Sequence, residues 1–131
     1  MRRPGVLIAL LLAVWVCAAQ PASACRLLVR FPWLDHVQDA VVVLVEVTDA
    51  RPVETTGFWT WDVDSRPIRT IDGPERSEPL HFRAITGSNG CERIPPSGIW
   101  MAYITPGGAV HALRLEDALR HDARLSFVRG R

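Results

Sequence analysis

The sequence predicts a mostly β protein, in which about five short strands form a small barrel or sandwich and one short helix follows at the C-terminal end. Three observations point to this fold. Residues 40–48 are rich in β-branched side chains, residues 57–63 alternate between two faces, and Pro106-Gly107-Gly108 separates two apolar runs. With 131 residues, of which 48% are apolar and 22% charged, the chain has the size and composition of one folded domain.

The first 24 residues are expected to be a bacterial export signal and not part of the fold. Arg2 and Arg3 provide a positive start, residues 6–19 are almost entirely apolar, and Ala22-Ser23-Ala24 supplies the small residues that signal peptidase accepts. The apolar stretch is about 14 residues long, whereas a membrane-spanning helix needs ~20. Cleavage after Ala24 would leave one domain, residues 25–131, in the periplasm or the extracellular space.

Cleavage would also turn an odd number of cysteines into a pair. The signal contains Cys17, so that Cys25 and Cys91 would be the two that remain. In an oxidising compartment these two are expected to form a disulfide. A bridge that closes a loop of about 66 residues stabilises a fold by on the order of 4 kcal/mol in the chain-entropy model.

Cys25 has a second possible fate. Ala22-Ser23-Ala24-Cys25 approximates a bacterial lipobox, in which the cysteine becomes the lipidated first residue, although Ala stands where Leu is usual and Gln20-Pro21 separates the box from the apolar run. The two fates exclude each other, because a thioether-linked lipid uses the sulfur that a disulfide needs. The alternative to a soluble disulfide-bonded domain is therefore an outer-membrane lipoprotein with a structural or assembly role.

The first two strands of the mature chain are predicted from β-branched and alternating residues. Residues 40–48 are apolar on both faces at their start, and Arg51-Pro52 is expected to end or bend this strand. In the next strand, residues 57–63, Trp59, Trp61 and Val63 would share one face. Ser65-Arg66-Pro67 is expected to interrupt it before residues 68–71 resume.

The remaining elements follow in close succession. Residues 79–86 form a third alternating strand, and residues 99–105 and 109–115 flank the turn as a hairpin. Residues 116–125 have three-to-four spacing of Leu and Ala and are predicted to form the helix. His121-Asp122 is expected to lie on its solvated side.

The order of several landmarks resembles the netrin-like, or tissue-inhibitor-of-metalloproteinases-like, branch of the OB fold, including its bacterial secreted members. These landmarks are Cys25, the sequence Gln38-Asp39-Ala40-Val41-Val42, Cys91, Gly98, the strand Ile99-Trp100-Met101-Ala102-Tyr103, and the turn Pro106-Gly107-Gly108. The resemblance implies a five-stranded OB-like barrel with a C-terminal helix, and the Cys25–Cys91 pair would correspond to the inhibitors' bridge from their first cysteine to a mid-chain one.

The resemblance also implies one specific activity. In the inhibitors, the α-amine and carbonyl of the terminal cysteine bind the zinc of the target protease, and Cys25 would present the same group after cleavage. The chain departs from that family in two places: Arg26 and Leu27 follow Cys25 without a second cysteine, and Glu92 follows Cys91 where the family has Gly. We therefore expect the chain to share the fold of that family, whereas its departures at the cysteines argue against protease inhibition.

Tryptophans are the candidate binding residues. Trp33, Trp59 and Trp61 could stack a ligand on one face of such a barrel. The formal net charge of +1, which becomes −1 after cleavage, argues against nucleic acid and leaves a glycan. The competing interpretation is that these large apolar side chains fill the core.

Catalytic and metal-binding patterns are lacking in the sequence. There is no Gly-x-Ser-x-Gly, and the four histidines are dispersed without a metal-ligand spacing. An oxidised Cys91 would be no nucleophile. The expected function is therefore non-catalytic and independent of cofactors: an exported binding or interaction protein of the bacterial envelope, with a protein or a glycan as partner and an oligomeric state that the sequence leaves open.

Overall fold

The computed structural model describes residues 32–88 and 90–125, so the predicted export signal and Cys25 lie outside the described residues. Within these residues the fold is mostly β, as predicted, with five strands and one α-helix near the C-terminal end. The elements are a 3-10 helix (Pro32–His36), β1 (Val41–Val53), β2 (Phe58–Asp72), β3 (Leu80–Ser88), β4 (Ile99–Ile104), β5 (Val110–Arg114), α1 (Leu115–His121) and a second 3-10 helix (Ala123–Leu125).

All five strands belong to one antiparallel sheet with the order β3-β2-β1-β4-β5. In the described part of the chain no hydrogen-bonded ladder joins the two edge strands, so the sheet is not closed. Residues of β3 and β5 nevertheless come within 8 Å of each other, measured between Cα atoms. The sheet must therefore curl until its edges are neighbours.

Two apolar layers lie on opposite faces of this curled sheet. The inner layer contains side chains from β1 to β4, with partly buried residues of β5 packed against it, and the outer layer lies under α1 and the two 3-10 helices. β4 belongs to both, because Trp100, Ala102 and Ile104 enter the inner layer while Met101 and Tyr103 enter the outer one. This explains why β4 is buried on both faces.

β1 and β2 are longer than predicted, since neither Pro52 nor Pro67 ends its strand. Pro52 pairs with Trp61 in the part of β1 that lies beyond its pairing with β4. Pro67 lies at a register shift where Val45 pairs with Pro67 and Leu44 with Arg69, so that one residue of β2 bulges out. Proline is compatible with strands at free edges and bulges, where its missing N–H breaks no ladder hydrogen bond.

The hairpin between β4 and β5 is confirmed. The amide of Thr105 donates to the carbonyl of Ala109 at 2.9 Å, and the amide of Gly108 donates back to the carbonyl of Thr105 at 2.9 Å. Gly108 has a φ of +88°, a conformation that side chains with a Cβ rarely adopt. The Pro-Gly-Gly sequence therefore has a direct structural role in this turn.

The C-terminal helix is shorter than predicted, and the expectation that Asp122 is solvated is wrong. α1 ends at His121, Asp122 is extended, and a 3-10 helix follows. The Asp122 side chain turns inward, where it is only 6% exposed and accepts a hydrogen bond of 2.8 Å from the Tyr103 hydroxyl. The reason is that Tyr103 is fully buried and its hydroxyl needs an acceptor.

Among the helices in the described ranges, none is long and apolar enough to cross a membrane.

Candidate binding site

The seam between β3 and β5 contains a cleft of about 540 Å³. We call it the seam cleft. Its residues come from three places: β2 and β3 on one side, β5 on the other, and the N-terminal 3-10 helix. The polar members are Asp62, His81, Arg83 and His111, and the apolar and indole members are Trp33, Phe82, Val110 and Ala112.

Strand register places opposite charges side by side on the β2–β3 wall of the cleft. Asp62 pairs with Arg83 and Asp64 with His81, and these four side chains share the face that does not enter the inner apolar layer. Arg83 Nε donates to Asp62 Oδ1 at 3.1 Å, and His81 Nδ1 lies 2.7 Å from Asp64 Oδ1. An ion pair and an adjacent imidazole–carboxylate contact therefore orient the side chains along this wall.

Asp64 connects this wall to β1. Arg51 Nη1 donates to Asp64 at 2.8 Å and to Asp49 at 2.7 Å. The hydrogen bonds from Arg51 and then from His81 lower the pKa of Asp64, so its carboxylate stays ionised. Because Asp64 holds Nδ1 of His81, the other ring nitrogen, Nε2, is directed towards Asp62, at 4.0 Å.

The opposite side of the cleft is aromatic. The rings of Trp33 and His111 are stacked, with centroids 4.9 Å apart and an interplanar angle of 19°. Trp33 also meets Tyr103 edge-on at 5.4 Å. Burial, followed by the hydrogen bond to Asp122, raises the pKa of Tyr103 above its usual range, so this phenol stays neutral. The aromatic side of the seam cleft therefore packs, through Trp33, against the buried and hydrogen-bonded pair Tyr103 and Asp122.

Trp61 and Trp59 lie away from the seam cleft. Trp61 is 4% exposed and donates from Nε1 to Thr86 Oγ1 at 2.9 Å, so it belongs to the core, as the core-packing interpretation expects. Trp59 is half-buried and donates from Nε1 to the carbonyl of Cys91 at 2.9 Å. The guanidinium of Arg93 lies over both rings, 5.0 and 5.3 Å from their centroids. These two indoles form a cation–π cluster with Arg93.

Trp33 is therefore the only one of the three candidate tryptophans that lines the seam cleft. Cys25 lies outside the described residues, so the Cys25–Cys91 disulfide stays a prediction. Cys91 itself is half-buried beside Trp59, with its Sγ 3.3 Å from the hydroxyl of Ser88.

Sequence reasoning missed the polar residues of the cleft. Asp62, His81, Arg83 and His111 had no motif to identify them, since they lie on three strands and come together through strand pairing. The sequence feature that could have identified them is the alternation of β2 and β3. It places two acidic residues on one face of β2 and two basic residues on the same face of β3. Across residues 32–88 and 90–125, no group of three or more His, Cys, Asp and Glu side chains is arranged to hold a metal ion.

Comparisons with known proteins returned no match to this chain, whether with family models, with curated proteins or with solved structures.

Proposed function

We propose that this protein is an exported, non-catalytic binding protein of the bacterial envelope that holds a glycan in the seam cleft. The observation that carries the proposal is the cleft itself. Its volume of about 540 Å³ lies within the range of ligand pockets, and aromatic and apolar side chains line it together with a few oriented polar ones. Such a lining suits a sugar, which presents hydroxyl groups and an apolar face of C–H groups.

A glycan fits this site better than an added protein strand. A strand inserted between β3 and β5 would have to form ladders with both, which requires the two strands to be roughly 9–10 Å apart. Cα atoms of β3 and β5 approach to 8 Å or less. The seam is therefore too narrow, where the strands approach, to admit another strand. The side chains that line it can instead contact a glycan.

The acidic residues beside the cleft support binding over glycoside hydrolysis. Hydrolysis uses two carboxyl groups, one of which is a general acid with a raised pKa. Here Asp62 accepts a hydrogen bond from Arg83, and Asp64 is held by Arg51 and His81. The pKa of Asp64 is lowered, which is the opposite of what a general acid needs.

The proposal includes a netrin-like OB barrel as the fold. An OB fold is a partly open, five-stranded barrel. The order β3-β2-β1-β4-β5, with β3 and β5 as neighbours across an open seam, supports this assignment. The proposed ligand site is the place where the barrel stays open.

The experiment is a calorimetric titration of the mature protein, residues 25–131, with neutral and acidic oligosaccharides. We expect one of these classes to bind, and we expect His111→Ala to weaken binding at least tenfold, because this change removes the ring that stacks on Trp33 in the cleft. His121→Ala, an exposed histidine on α1, is the matched control and should bind as the wild type does. Thermal melting of each variant confirms folding.

Two results would contradict the proposal. One is that no oligosaccharide of either class binds to the folded protein. The other is that His111→Ala and His121→Ala bind a glycan with the same affinity as the wild type, which would place the glycan site elsewhere.

A further inference from the structure

From the seam cleft we infer that the glycan carries a carboxylate, as a uronic acid does, and that Arg83 recognises it. This inference rests on the proposed function and names the class of ligand for the same site. Two observations support it: Arg83 is paired through its Nε alone, and the other polar groups of the cleft leave its Nη atoms available to a ligand.

Arg83 is held by one nitrogen and leaves the others available. Its Nε donates to Asp62 Oδ1 at 3.1 Å, and this is its one salt bridge within the described residues. Its side chain is 68% exposed. The edge formed by the two Nη atoms therefore stays accessible, and this edge matches the two oxygens of a carboxylate in a planar, bidentate contact.

Other arginines that form ion pairs in the fold use their Nη atoms within the protein. Arg51 binds two aspartates through Nη1, Arg66 binds Glu46 through Nε and Nη2, and Arg124 uses Nε, Nη1 and Nη2. Arg83 differs from them in being fixed through Nε alone while lining a cleft. Asp62 thus orients Arg83 without occupying the end of its guanidinium group.

The remaining polar groups of the cleft are compatible with a ligand that carries a carboxylate. The carboxylate that lines the cleft, Asp62, is already paired with Arg83 and lies 4.0 Å from His81 Nε2, and its neighbour on the same wall, Asp64, is paired with Arg51. The other polar side chains that line it, apart from Trp33, are the imidazoles of His81 and His111. A neutral sugar offers the Nη edge of Arg83 only hydroxyl acceptors, whereas a uronic acid offers it both oxygens of a carboxylate and still presents hydroxyl groups to the imidazoles.

The test compares two ligands that differ in charge and share the same sugar ring. Calorimetric titrations of residues 25–131 would use a galacturonic acid trimer and a glucuronic acid-containing trimer, each as the free acid and as the methyl ester. We expect the free acid of at least one trimer to bind at least tenfold more tightly than its ester at 50 mM salt. The preference should shrink at 500 mM salt, because salt screens an exposed ion pair.

Variants then assign the preference to one residue. Arg83→Gln should bind the acid no more tightly than the ester, whereas Arg69→Gln, an exposed arginine of β2 outside the cleft, should keep the wild-type preference. Equal affinity for acid and ester, or an unchanged preference in Arg83→Gln, would overturn the inference.

The two proposals fail in different ways. Binding of a neutral oligosaccharide with no preference for acids would leave the proposed function standing and refute the uronic acid. Absence of binding by every oligosaccharide, charged or neutral, would refute both.

Discussion

Asp122 is a buried carboxylate whose partners explain its ionisation. Burial by itself would raise its pKa, but hydrogen bonds from Arg124 and Tyr103 outweigh that effect and lower the pKa below the usual 3.8. Arg124 contributes both its side chain and its backbone amide, which donates to Asp122 Oδ1 at 3.0 Å. The charge on Asp122 is therefore a stabilising feature of the folded state.

We expect Asp122→Asn to destabilise the protein and to change how its stability depends on pH. At pH 7 the loss should be about 1–3 kcal/mol, because the variant leaves Tyr103 and Arg124 with a weaker, neutral partner. A folded-state pKa below the unfolded one gives stability that is present above about pH 4 and lost as the pH falls through the folded value. Wild-type stability should thus drop more steeply below pH 4 than that of the variant.

Urea unfolding between pH 7 and pH 2.5 measures both effects. Asp72→Asn, at the exposed end of β2, is the control and should follow the wild type. Parallel pH profiles for wild type and Asp122→Asn would show that this carboxylate contributes nothing to acid sensitivity.

The role of Asp122 is not visible in the local sequence. The three-to-four spacing of Leu115, Ala118 and Leu119 predicts a helix there, and the helix exists, but it stops one residue before Asp122. What decides the position of the carboxylate is a phenol 19 residues earlier on β4. Periodicity predicts which face of an element is apolar, whereas a single buried polar partner depends on tertiary packing.

At the scale of elements, β1 and β2 extend beyond their neighbours and leave two free edges. β3 pairs only with residues 58–65 of β2, and β4 pairs only with residues 41–46 of β1, as far as the structure describes the chain. The free edge of β2 carries Arg66, Pro67 and Arg69. Charged residues and proline are the devices by which natural proteins keep free edges from pairing with other chains.

We therefore expect the double variant Pro67→Thr, Arg69→Val to self-associate. The change restores a backbone N–H and adds β-branched side chains beside Ile68, which is already half-exposed. Light scattering after size-exclusion chromatography should show dimers or larger species at concentrations where the wild type does not form them. Pro95→Thr, in an exposed loop, is the control, and a double variant that associates no more than this control would contradict the role of the edge.

The same elements show which parts of the fold were predictable. The cores of β1, β2 and β3 were identified from β-branched residues and alternation, and those of β4 and β5 from the Pro-Gly-Gly turn between them. The ends of β1 and β2 were not, because Pro52 and Pro67 break strands only where a neighbour needs their N–H. The seam cleft could not be predicted from the sequence for a related reason. No local sequence pattern shows that Asp62 pairs with Arg83, or that His111 stacks on Trp33.

At the scale of the whole molecule, the predicted export signal leaves Cys25 two fates, a disulfide in a free protein or a lipid that attaches the protein to a membrane. We expect the protein from its native host to have the mass of a chain that begins at Cys25, and we expect that mass to increase by two hydrogen atoms when the disulfide is reduced. Intact mass spectrometry with and without reductant measures this directly. A mass raised by acyl chains would instead identify a lipoprotein and would rule out the Cys25–Cys91 bridge, because the sulfur would be alkylated.

The contact between the C-terminal 3-10 helix and the segment that leads into β1 has a consequence for the order in which the molecule can form. Arg124 Nη1 donates to the carbonyls of Val37 and Gln38, which lie 87 and 86 residues earlier in the chain. Until Arg124 and Leu125 have been synthesised, the segment before β1 lacks these hydrogen bonds and the outer apolar layer lacks Leu125. The N-terminal and C-terminal ends of the described fold therefore complete each other, and neither can reach its final packing before the other has been synthesised.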